Sequence, residues 1–484
     1  MRSLCAALAL AIGCGAGARE KPQRRMALER CRIKGIGRET LCGKLEVFED
    51  RAAKRGRKIG IRVAVVPALA RDASPDPLFL LAGGPGQAAT DAFGPLMGAF
   101  DPVRKTRDLV LVDQRGTGGS HKLDCEMVPK DADLRTRLEA ELAPEKFRAC
   151  LGKLDADPRL YTTAIAMQDL DEVRAALGYE RINLWGGSYG TRAALVYARM
   201  FPDRVRTLTL DGVAPGSLRL PLFFARDGQR ALDLLVDHCA ADKACGKRFP
   251  DLRGRLDDLL RRLEARPASI RVEDPLTGAP IDVTITRGRF VGIMRGLLYS
   301  ADLTALLPLT LERAAAGDYR SFLAQADQLG SGPGGALALG MMLSVLCAED
   351  VPFIAPDELE RLSQGTFLGV HPAREFFAAC SAWPRGAVAE GHREPVRSEA
   401  PALLLSGELD PVTPPSWAED AARTLPRSKH VVVPGVGHGV TASGCLPDLV
   451  RDFIKNGTAL GLDTRCATKL KRPPFFLGFA GPRP

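Results

Sequence analysis

The chain has 484 residues, 45% of them hydrophobic, and a formal net charge of +9. Its length suits two or three domains with a large buried core. The 67 basic residues are scattered among 58 acidic ones, without a basic block interleaved with aromatic residues, which argues against a nucleic-acid-binding protein. No apolar run reaches the roughly 18 residues of a membrane-spanning helix.

Residues 1–18 resemble a secretory signal peptide. Arg2 gives a basic start, residues 4–12 form an apolar run, and residues 16–18 (Ala-Gly-Ala) form a small-x-small cleavage site. We therefore expect a secreted or periplasmic protein. An alternative is that residues 10–14 form a lipoprotein processing site, which leaves Cys14 lipidated and the protein anchored in the cell envelope.

The ten cysteines beyond residue 18 fall into neighbouring couples along the sequence. The couples are Cys31 with Cys42, Cys125 with Cys150, Cys239 with Cys245, Cys347 with Cys380, and Cys445 with Cys466. Five local disulfides suit an oxidising compartment, although sequence alone does not fix the connectivity. The absence of a Cys-x-x-Cys motif from the sequence argues against a metal site.

Strand-like and helix-like segments alternate along the chain and predict one interrupted sheet. The strand-like runs are 44–48, 59–66, 78–81, 109–112, 181–185, 207–210, 402–405 and 431–433. Between the runs at 207–210 and 402–405, residues 215–395 are mostly helical in pattern. We therefore predict an α/β protein with a mostly parallel doubly wound sheet and an inserted helical cap. The predicted parts are the core at 19–214, the cap at 215–395, and the rest of the core with a C-terminal tail at 396–484.

Residues 186–190 (Gly-Gly-Ser-Tyr-Gly) are the most informative motif. They follow a strand-like run and precede a helix-like segment that starts at Thr191. A serine on such a strand-to-helix turn projects above the sheet edge, and the turn leaves no room for β-carbons two residues to either side. Gly186 and Gly190 meet that need, so Ser188 is the predicted nucleophile. The alternative is a chance match in a chain with 49 glycines.

A serine nucleophile needs a base, and the base needs an acid to orient it. Asp410 lies on the loop after the run at 402–405, and His438 lies between two glycines after the run at 431–433. Hydrolases with a Gly-x-Ser-x-Gly turn carry serine, acid and histidine in this order. Asp410 and His438 are therefore the predicted acid and base. Glu408 is the alternative acid, and His430 is the alternative histidine nearby.

Acyl transfer also needs hydrogen-bond donors for the oxyanion. The backbone amide of Tyr189, directly after the nucleophile, is the first predicted donor. The loop at 82–86 (Ala-Gly-Gly-Pro-Gly) exposes backbone amides without side-chain cover. We predict that Gly84 supplies the second donor.

Five motifs together resemble those of a known enzyme family. They are residues 81–86 (Leu-Ala-Gly-Gly-Pro-Gly), 113–120 (Asp-Gln-Arg-Gly-Thr-Gly-Gly-Ser), 186–191 (Gly-Gly-Ser-Tyr-Gly-Thr), 407–414 (Gly-Glu-Leu-Asp-Pro-Val-Thr-Pro) and 437–439 (Gly-His-Gly). Their order resembles that of the proline iminopeptidases and secreted tripeptidyl aminopeptidases. The resemblance covers nearly the whole mature chain and implies an α/β-hydrolase fold with an inserted cap. One departure is Ala82, where the family usually has histidine.

The resemblance implies that one to three residues are removed from the free N-terminus of a peptide. Such an enzyme must recognise an ammonium group, and a buried ammonium needs carboxylates. Residues 347–350 (Cys-Ala-Glu-Asp) resemble a stretch of the tripeptidyl aminopeptidases, so Glu349 and Asp350 are candidates for an amino clamp. The alternative is that both acids pair with arginines. Asp113 and Arg115 are expected to brace loops.

The sequence therefore predicts a secreted serine aminopeptidase that acts through Ser188, His438, Asp410 and an acyl-enzyme. Its expected partner is a peptide with a free N-terminus, and no metal or cofactor is expected. One alternative is an esterase, or a small amide or lactone hydrolase, that uses the same triad. Another is a non-catalytic binding protein on the same fold. The oligomeric state is left open.

Overall fold

The strands of the protein form one large sheet and one separate hairpin. The computed structural model describes residues 25–129, 131–140, 143–330 and 337–482. The strands are β1 (Glu29–Ile33), β2 (Ile36–Phe48), β3 (Lys58–Val66), β4 (Leu78–Leu81), β5 (Leu109–Val112), β6 (Ile182–Gly187), β7 (Val205–Asp211), β8 (Ala268–Glu273), β9 (Pro280–Ile285), β10 (Ala402–Gly407) and β11 (Ser428–Val433).

The large sheet has the strand order β1-β2-β3-β5-β4-β6-β7-β10-β11. The neighbours from β1 to β5 in this order pair antiparallel, and all neighbours from β5 to β11 pair in parallel. The predicted α/β class with a mostly parallel sheet is confirmed. Because parallel strands end at the same edge, the loops after β4, β6, β7, β10 and β11 meet there.

Helices surround the sheet and fill the chain between β7 and β10. They are α1 (Ala89–Ala92), α2 (Met97–Arg104), α3 (Leu134–Leu138), α4 (Pro144–Leu151), α5 (Thr163–Ala176), α6 (Tyr189–Met200), α7 (Phe224–Ala241), α8 (Lys243–Arg248), α9 (Leu252–Ala265), α10 (Arg287–Leu297), α11 (Ala301–Ala315), α12 (Arg320–Gly330), α13 (Leu339–Glu349), α14 (Pro356–Ser363), α15 (His371–Ala382), α16 (Pro415–Ala422) and α17 (Leu446–Asn456).

Both faces of the parallel part of the sheet are buried under helices. Along β4, Leu78 and Leu80 pack into the cluster that includes residues of α2 and α17. Phe79 and Leu81 alternate with them and pack into the cluster that includes residues of α5 and α6. Successive side chains of a strand point to opposite faces, so a fully apolar strand fits a sheet covered on both sides.

The cap between β7 and β10 has an apolar cluster of its own, to which α7, α9, α10 and α12 contribute. It also contains the β8–β9 hairpin, which the helical interpretation of this region missed. The segment of β8 is short, and its residues alternate between half-buried and exposed positions. This period-two pattern extends over only six residues, next to much longer helical patterns.

The first strand, β1, was also missed, and β2 begins earlier than predicted. The segment at 29–43 carries many charged residues and lies at the antiparallel edge of the sheet, where one face meets solvent. Its pairing is reinforced by the disulfide between Cys31 and Cys42.

All five predicted cysteine couples are confirmed as disulfides in the structure. The predicted signal peptide at 1–18 and Cys14 lie outside the described residues. Within the described ranges, no single helix is long and apolar enough to cross a membrane. One pair of helical segments, Leu339–Phe353 and Pro356–Ser363, meets the length and composition limits only when taken together across a 92° bend.

Candidate active site

Ser188 lies between the end of β6 and the start of α6. Its backbone has a φ of 55° and a ψ of −124°, a region that costs an L-residue about 1–3 kcal/mol. A β-carbon at Gly186 would collide with the backbone of Gly190, and one at Gly190 would collide with the carbonyl of Leu81. The turn therefore requires glycine at both positions, as the motif predicts. It places Ser188 at the carboxyl edge of the sheet.

The structure brings Asp410 and His438 together, although they lie on loops after different strands. Nδ1 of His438 lies 2.7 Å from Oδ2 of Asp410. The other carboxylate oxygen accepts the backbone amides of Val412 at 2.9 Å and Thr413 at 2.8 Å. The Thr413 hydroxyl donates to Oδ2 at 2.7 Å. The side chain of Asp410 is 0% exposed and that of His438 is 14% exposed.

These contacts shift the pKa values of the two groups in opposite directions. Burial raises the pKa of the Asp410 carboxyl, but the charge and hydrogen bond of His438 outweigh it and lower that pKa below 3.8. Burial lowers the pKa of the His438 imidazole, but the charge and hydrogen bond of Asp410 outweigh it and raise that pKa above 6.5. The buried carboxylate therefore favours the charged imidazolium, which is the form that a general base must reach.

Ser188 and His438 both lie against the carboxyl end of β7 and the residue that follows it. The backbone amide of Ser188 donates to the carbonyl of Asp211 at 2.9 Å. A β-carbon on the next residue, Gly212, would lie 3.0 Å from Cε1 of His438. Among the described residues, no hydrogen bond joins the Ser188 hydroxyl to the imidazole. Such bonds are often long in free enzymes and shorten when substrate binds.

Asp211 is a residue of this site that the sequence analysis missed. Its buried carboxylate accepts the backbone amide of Val440 through both oxygens, at 2.9 Å each. It also accepts the amide of Thr441 at 2.7 Å and the Thr441 hydroxyl at 2.6 Å. The loop that carries His438 is thereby tied to the strand next to β6. An acid at the carboxyl end of that strand is the signal that points to it in the sequence.

The glycine-rich loop after β4 lies against Ser188, which is where a loop that donates to the oxyanion must lie. A β-carbon at Gly83 would lie 3.1 Å from Cβ of Ser188 and 3.1 Å from the carbonyl oxygen of Gly187. Gly84 has a φ of +104°, which favours glycine. Gly83 is therefore the glycine of this loop that lies nearest to Ser188. The donor roles of Gly84 and Tyr189 stay predictions.

Glu349 is buried behind the serine turn and already has internal partners. Its carboxylate accepts the backbone amide of Thr163 at 2.6 Å and the Thr163 hydroxyl at 2.8 Å. The Thr163 oxygen also lies 2.8 Å from the hydroxyl of Tyr189. Because the Thr163 hydroxyl donates to Glu349, the Tyr189 hydroxyl donates to Thr163. This chain fixes the side chain of the residue that follows Ser188.

Asp350 forms a buried ion pair with Arg192 on α6. Nη1 of Arg192 lies 3.0 Å from Oδ1 and 2.9 Å from Oδ2 of Asp350. The two side chains are 5% and 1% exposed. Asp350 therefore balances a cation of this chain, and the amino-clamp role stays a prediction for both acids.

Several known peptidases and one family model are similar to parts of this chain. Residues 368–466 match the family model described as TAP-like protein. Serine protease Hip1 of Mycobacterium tuberculosis is 26% identical over 88% of this chain and 87% of that protein. Tripeptidyl aminopeptidase of Streptomyces lividans is 26% identical over 75% of this chain and 71% of that protein. A probable proline iminopeptidase of Streptomyces coelicolor is 36% identical over 29% of this chain and 34% of that protein.

The chain therefore resembles the tripeptidyl aminopeptidases and proline iminopeptidases, and it has an α/β-hydrolase fold. The resemblance found in its five motifs is thereby confirmed, and the protein is a serine hydrolase.

The alternative site residues of this hydrolase have other partners. Glu408 accepts the backbone amide of Gly435 through its side chain at 2.7 Å and so shapes the loop before His438. Nε2 of His430 lies 2.9 Å from the hydroxyl of Ser406. Neither contact joins the pair formed by Asp410 and His438.

Asp113 and Arg115 brace loops of the hydrolase core. Asp113 accepts the backbone amide and the hydroxyl of Thr90, each at 2.9 Å. Arg115 is fully buried and donates to both carboxylate oxygens of Asp169, at 2.7 Å and 2.9 Å. These contacts join the segment after β5 to α1 and α5.

Two features of the described residues concern ligands other than the substrate of the serine. Within the described ranges, no group of three or more histidine, cysteine, aspartate and glutamate side chains is arranged to hold a metal ion. A cavity of about 1090 Å³ is lined by cap residues of α7, α9, α14 and the loop before α15. It contains none of the predicted site residues, so the hydrolase chemistry is not assigned to it.

Proposed function

We propose that this hydrolase is an exported serine aminopeptidase that cleaves peptides near a free N-terminus. The names of its relatives, serine protease Hip1 and tripeptidyl aminopeptidase, support peptides as the substrate class. The observation that carries the proposal is the 2.7 Å contact between Asp410 and His438, beside a serine held on a strained turn. The contact that orients a general base is therefore present, and substrate binding is expected to bring the Ser188 hydroxyl within hydrogen-bond reach of the imidazole.

In the proposed reaction, His438 takes the proton of the Ser188 hydroxyl while the oxygen attacks the scissile carbonyl carbon. Asp410 holds the imidazole through Nδ1 and stabilises its charged form. The carbon–nitrogen bond then breaks, and His438 returns the proton to the leaving amine, which leaves an acyl-enzyme. Water attacks this ester in the second half, with His438 as base and then as acid, and releases the acid product.

The developing oxyanion needs donors that are already in place. We assign this role to the backbone amides of Tyr189 and Gly84. The position of the glycine loop against Ser188 supports the assignment. The buried contacts of the Tyr189 side chain support it too, because they fix the residue whose amide is needed.

The proposal also includes export. Five disulfides are expected where thiols are oxidised, outside the cytosol. The signal-like segment at 1–18 supports the same location. The mass of the mature N-terminal peptide distinguishes cleavage of the precursor after residue 18 from lipid attachment at Cys14.

A labelling and cleavage experiment tests the proposed function. A fluorophosphonate probe is expected to label the protein and not its Ser188→Ala variant. Peptidyl arylamides with a free amine are expected to be hydrolysed, and acetylation of that amine is expected to abolish cleavage. Labelling with activity only on acyl esters would favour the esterase alternative. No labelling of correctly folded protein would favour the binding-protein alternative.

A further inference from the structure

We propose that Arg295 binds a carboxylate group of the substrate beside the catalytic centre. The inference rests on the proposed peptidase function, because peptides present carboxylates both as acidic side chains and as the C-terminus. Arg295 lies on α10 of the cap, far in sequence from the triad. Arg295 would bind the same carboxylate group whether it comes from an acidic side chain or from the C-terminus, and the experiment below distinguishes these two sources.

Arg295 is held next to the catalytic histidine through Tyr299, one turn further along the chain. The backbone amide of His438 donates to the carbonyl of Tyr299 at 2.8 Å. The Tyr299 ring packs edge-on against the imidazole, with 5.0 Å between the ring centroids. Nη2 of Arg295 donates to the Tyr299 hydroxyl at 3.0 Å. The charge of Arg295 also opposes the raised pKa of His438, so the guanidinium lies within electrostatic reach of the imidazole.

Two aromatic rings fix the orientation of the guanidinium. Its central carbon lies 3.7 Å from the centroid of the Phe224 ring and 5.4 Å from that of Tyr299. Phe224 packs in turn against Phe376. A guanidinium stacked in this way keeps its donors in one plane and loses little conformational freedom when it binds a planar carboxylate through two hydrogen bonds.

The charge of Arg295 has no counterion among the described residues. Its Nε is buried and has no hydrogen-bond partner there. Other arginines of this region are paired: Arg226 lies 2.7 Å from Asp227, and Arg192 lies 2.9 Å from Asp350. A partly buried cation without a partner is costly, and its donors favour an anionic ligand. A substrate carboxylate that lies near His438 would supply that charge.

Two pairs of peptides with free N-termini test the inference. The first pair differs by aspartate or asparagine on either side of the scissile bond, and the second by a free or amidated C-terminus. For the wild-type protein, we expect kcat/KM to favour the carboxylate member of one pair by about 10-fold or more, which is typical of hydrogen bonds to charged groups. The pair that shows the preference identifies the source of the carboxylate.

The variants separate binding from folding. Arg295→Gln is expected to bring the ratio close to 1, and Arg295→Lys is expected to keep part of the preference. Arg271→Gln, on the exposed cap hairpin, removes the same positive charge. It is expected to leave the kcat/KM ratio unchanged. The melting temperature and the rate of fluorophosphonate labelling show whether each variant is folded. A wild-type ratio near 1 in both pairs, or an unchanged ratio in Arg295→Gln, would overturn the inference.

A second arm keeps the test valid if the peptidase proposal itself fails. If Ser188 is labelled but no peptide is cleaved, protection from labelling replaces turnover. A tripeptide with a free C-terminal carboxylate and its amide are then compared as protecting ligands. Stronger protection by the acid, lost in Arg295→Gln, supports the carboxylate site without peptidase activity. Equal protection by acid and amide contradicts it.

Discussion

The carboxylate of Asp211 accepts the backbone amide of Val440 through both of its oxygens, at 2.9 Å each. Val440 is two residues beyond His438, and the carbonyl of Asp211 accepts the amide of Ser188. One buried residue therefore fixes both the serine turn and the histidine loop. The distance between the proposed nucleophile and the proposed base therefore depends on this residue, although it belongs to neither loop.

Replacing Asp211 by Asn is expected to lower both kcat and the melting temperature. The new amide group would face the Val440 and Thr441 donors with hydrogens of its own, and a buried donor left without an acceptor costs about 1–3 kcal/mol. Since the charge of Asp211 raises the pKa of His438, the acid limb of the pH profile should also move to lower pH. Asp203→Asn, at an exposed position, is the matched control. Unchanged kcat with a lowered melting temperature would limit Asp211 to a stabilising role.

The local parts of this fold and site were predictable from the sequence. The serine turn requires glycines at fixed spacing, and the acid and histidine follow apolar strands, so short patterns predict the serine turn and the contact between Asp410 and His438. The parts that were missed depend on contacts between distant segments. Nothing near Asp211 in the sequence shows that its carboxylate meets residues 440 and 441. Likewise, the position of Arg295 depends on how the cap packs on the histidine loop.

The partners of the two acids proposed for the amino clamp also come from distant segments of the chain. In sequence, Glu349 and Asp350 are two adjacent carboxylates near a cysteine, which fits ammonium recognition. Folding places one against Thr163 and the other against Arg192. Arg192 lies on the helix that follows the serine, and the sequence pattern does not show that it pairs with Asp350.

The dependence of activity on pH should reflect the raised pKa of His438. The imidazole must be neutral to take the proton of Ser188, so kcat/KM should rise with pH through an ionisation above 6.5. Asp410→Asn removes the charge that stabilises the imidazolium, so this limb should move to lower pH. The same variant should reduce kcat by roughly 10⁴-fold, as expected when the orienting acid of such a triad is lost. A limb below pH 6.5 in the wild-type enzyme would contradict the assignment.

Asp350→Asn should destabilise the protein, because it removes the carboxylate that forms hydrogen bonds with the buried guanidinium of Arg192. Breaking a buried pair in this way typically costs about 3–5 kcal/mol, measured here as the free energy of unfolding in denaturant. The exposed Asp357→Asn is the control. The ratio of activity on free and acetylated peptides should stay the same if Asp350 serves Arg192 alone. A selective rise in KM for the free-amine peptide would instead support the clamp.

Gly83→Ala should reduce turnover with little loss of stability. The added methyl would lie 3.1 Å from Cβ of Ser188 and from the carbonyl oxygen of Gly187, so the loop must shift away from the serine. If this loop carries an oxyanion donor, kcat should fall by about 10²–10³-fold, and fluorophosphonate labelling should slow as well. Gly98→Ala in α2 meets nothing within 4 Å and provides the control. Normal turnover in Gly83→Ala would contradict the prediction that a small shift of this loop disturbs the oxyanion donor.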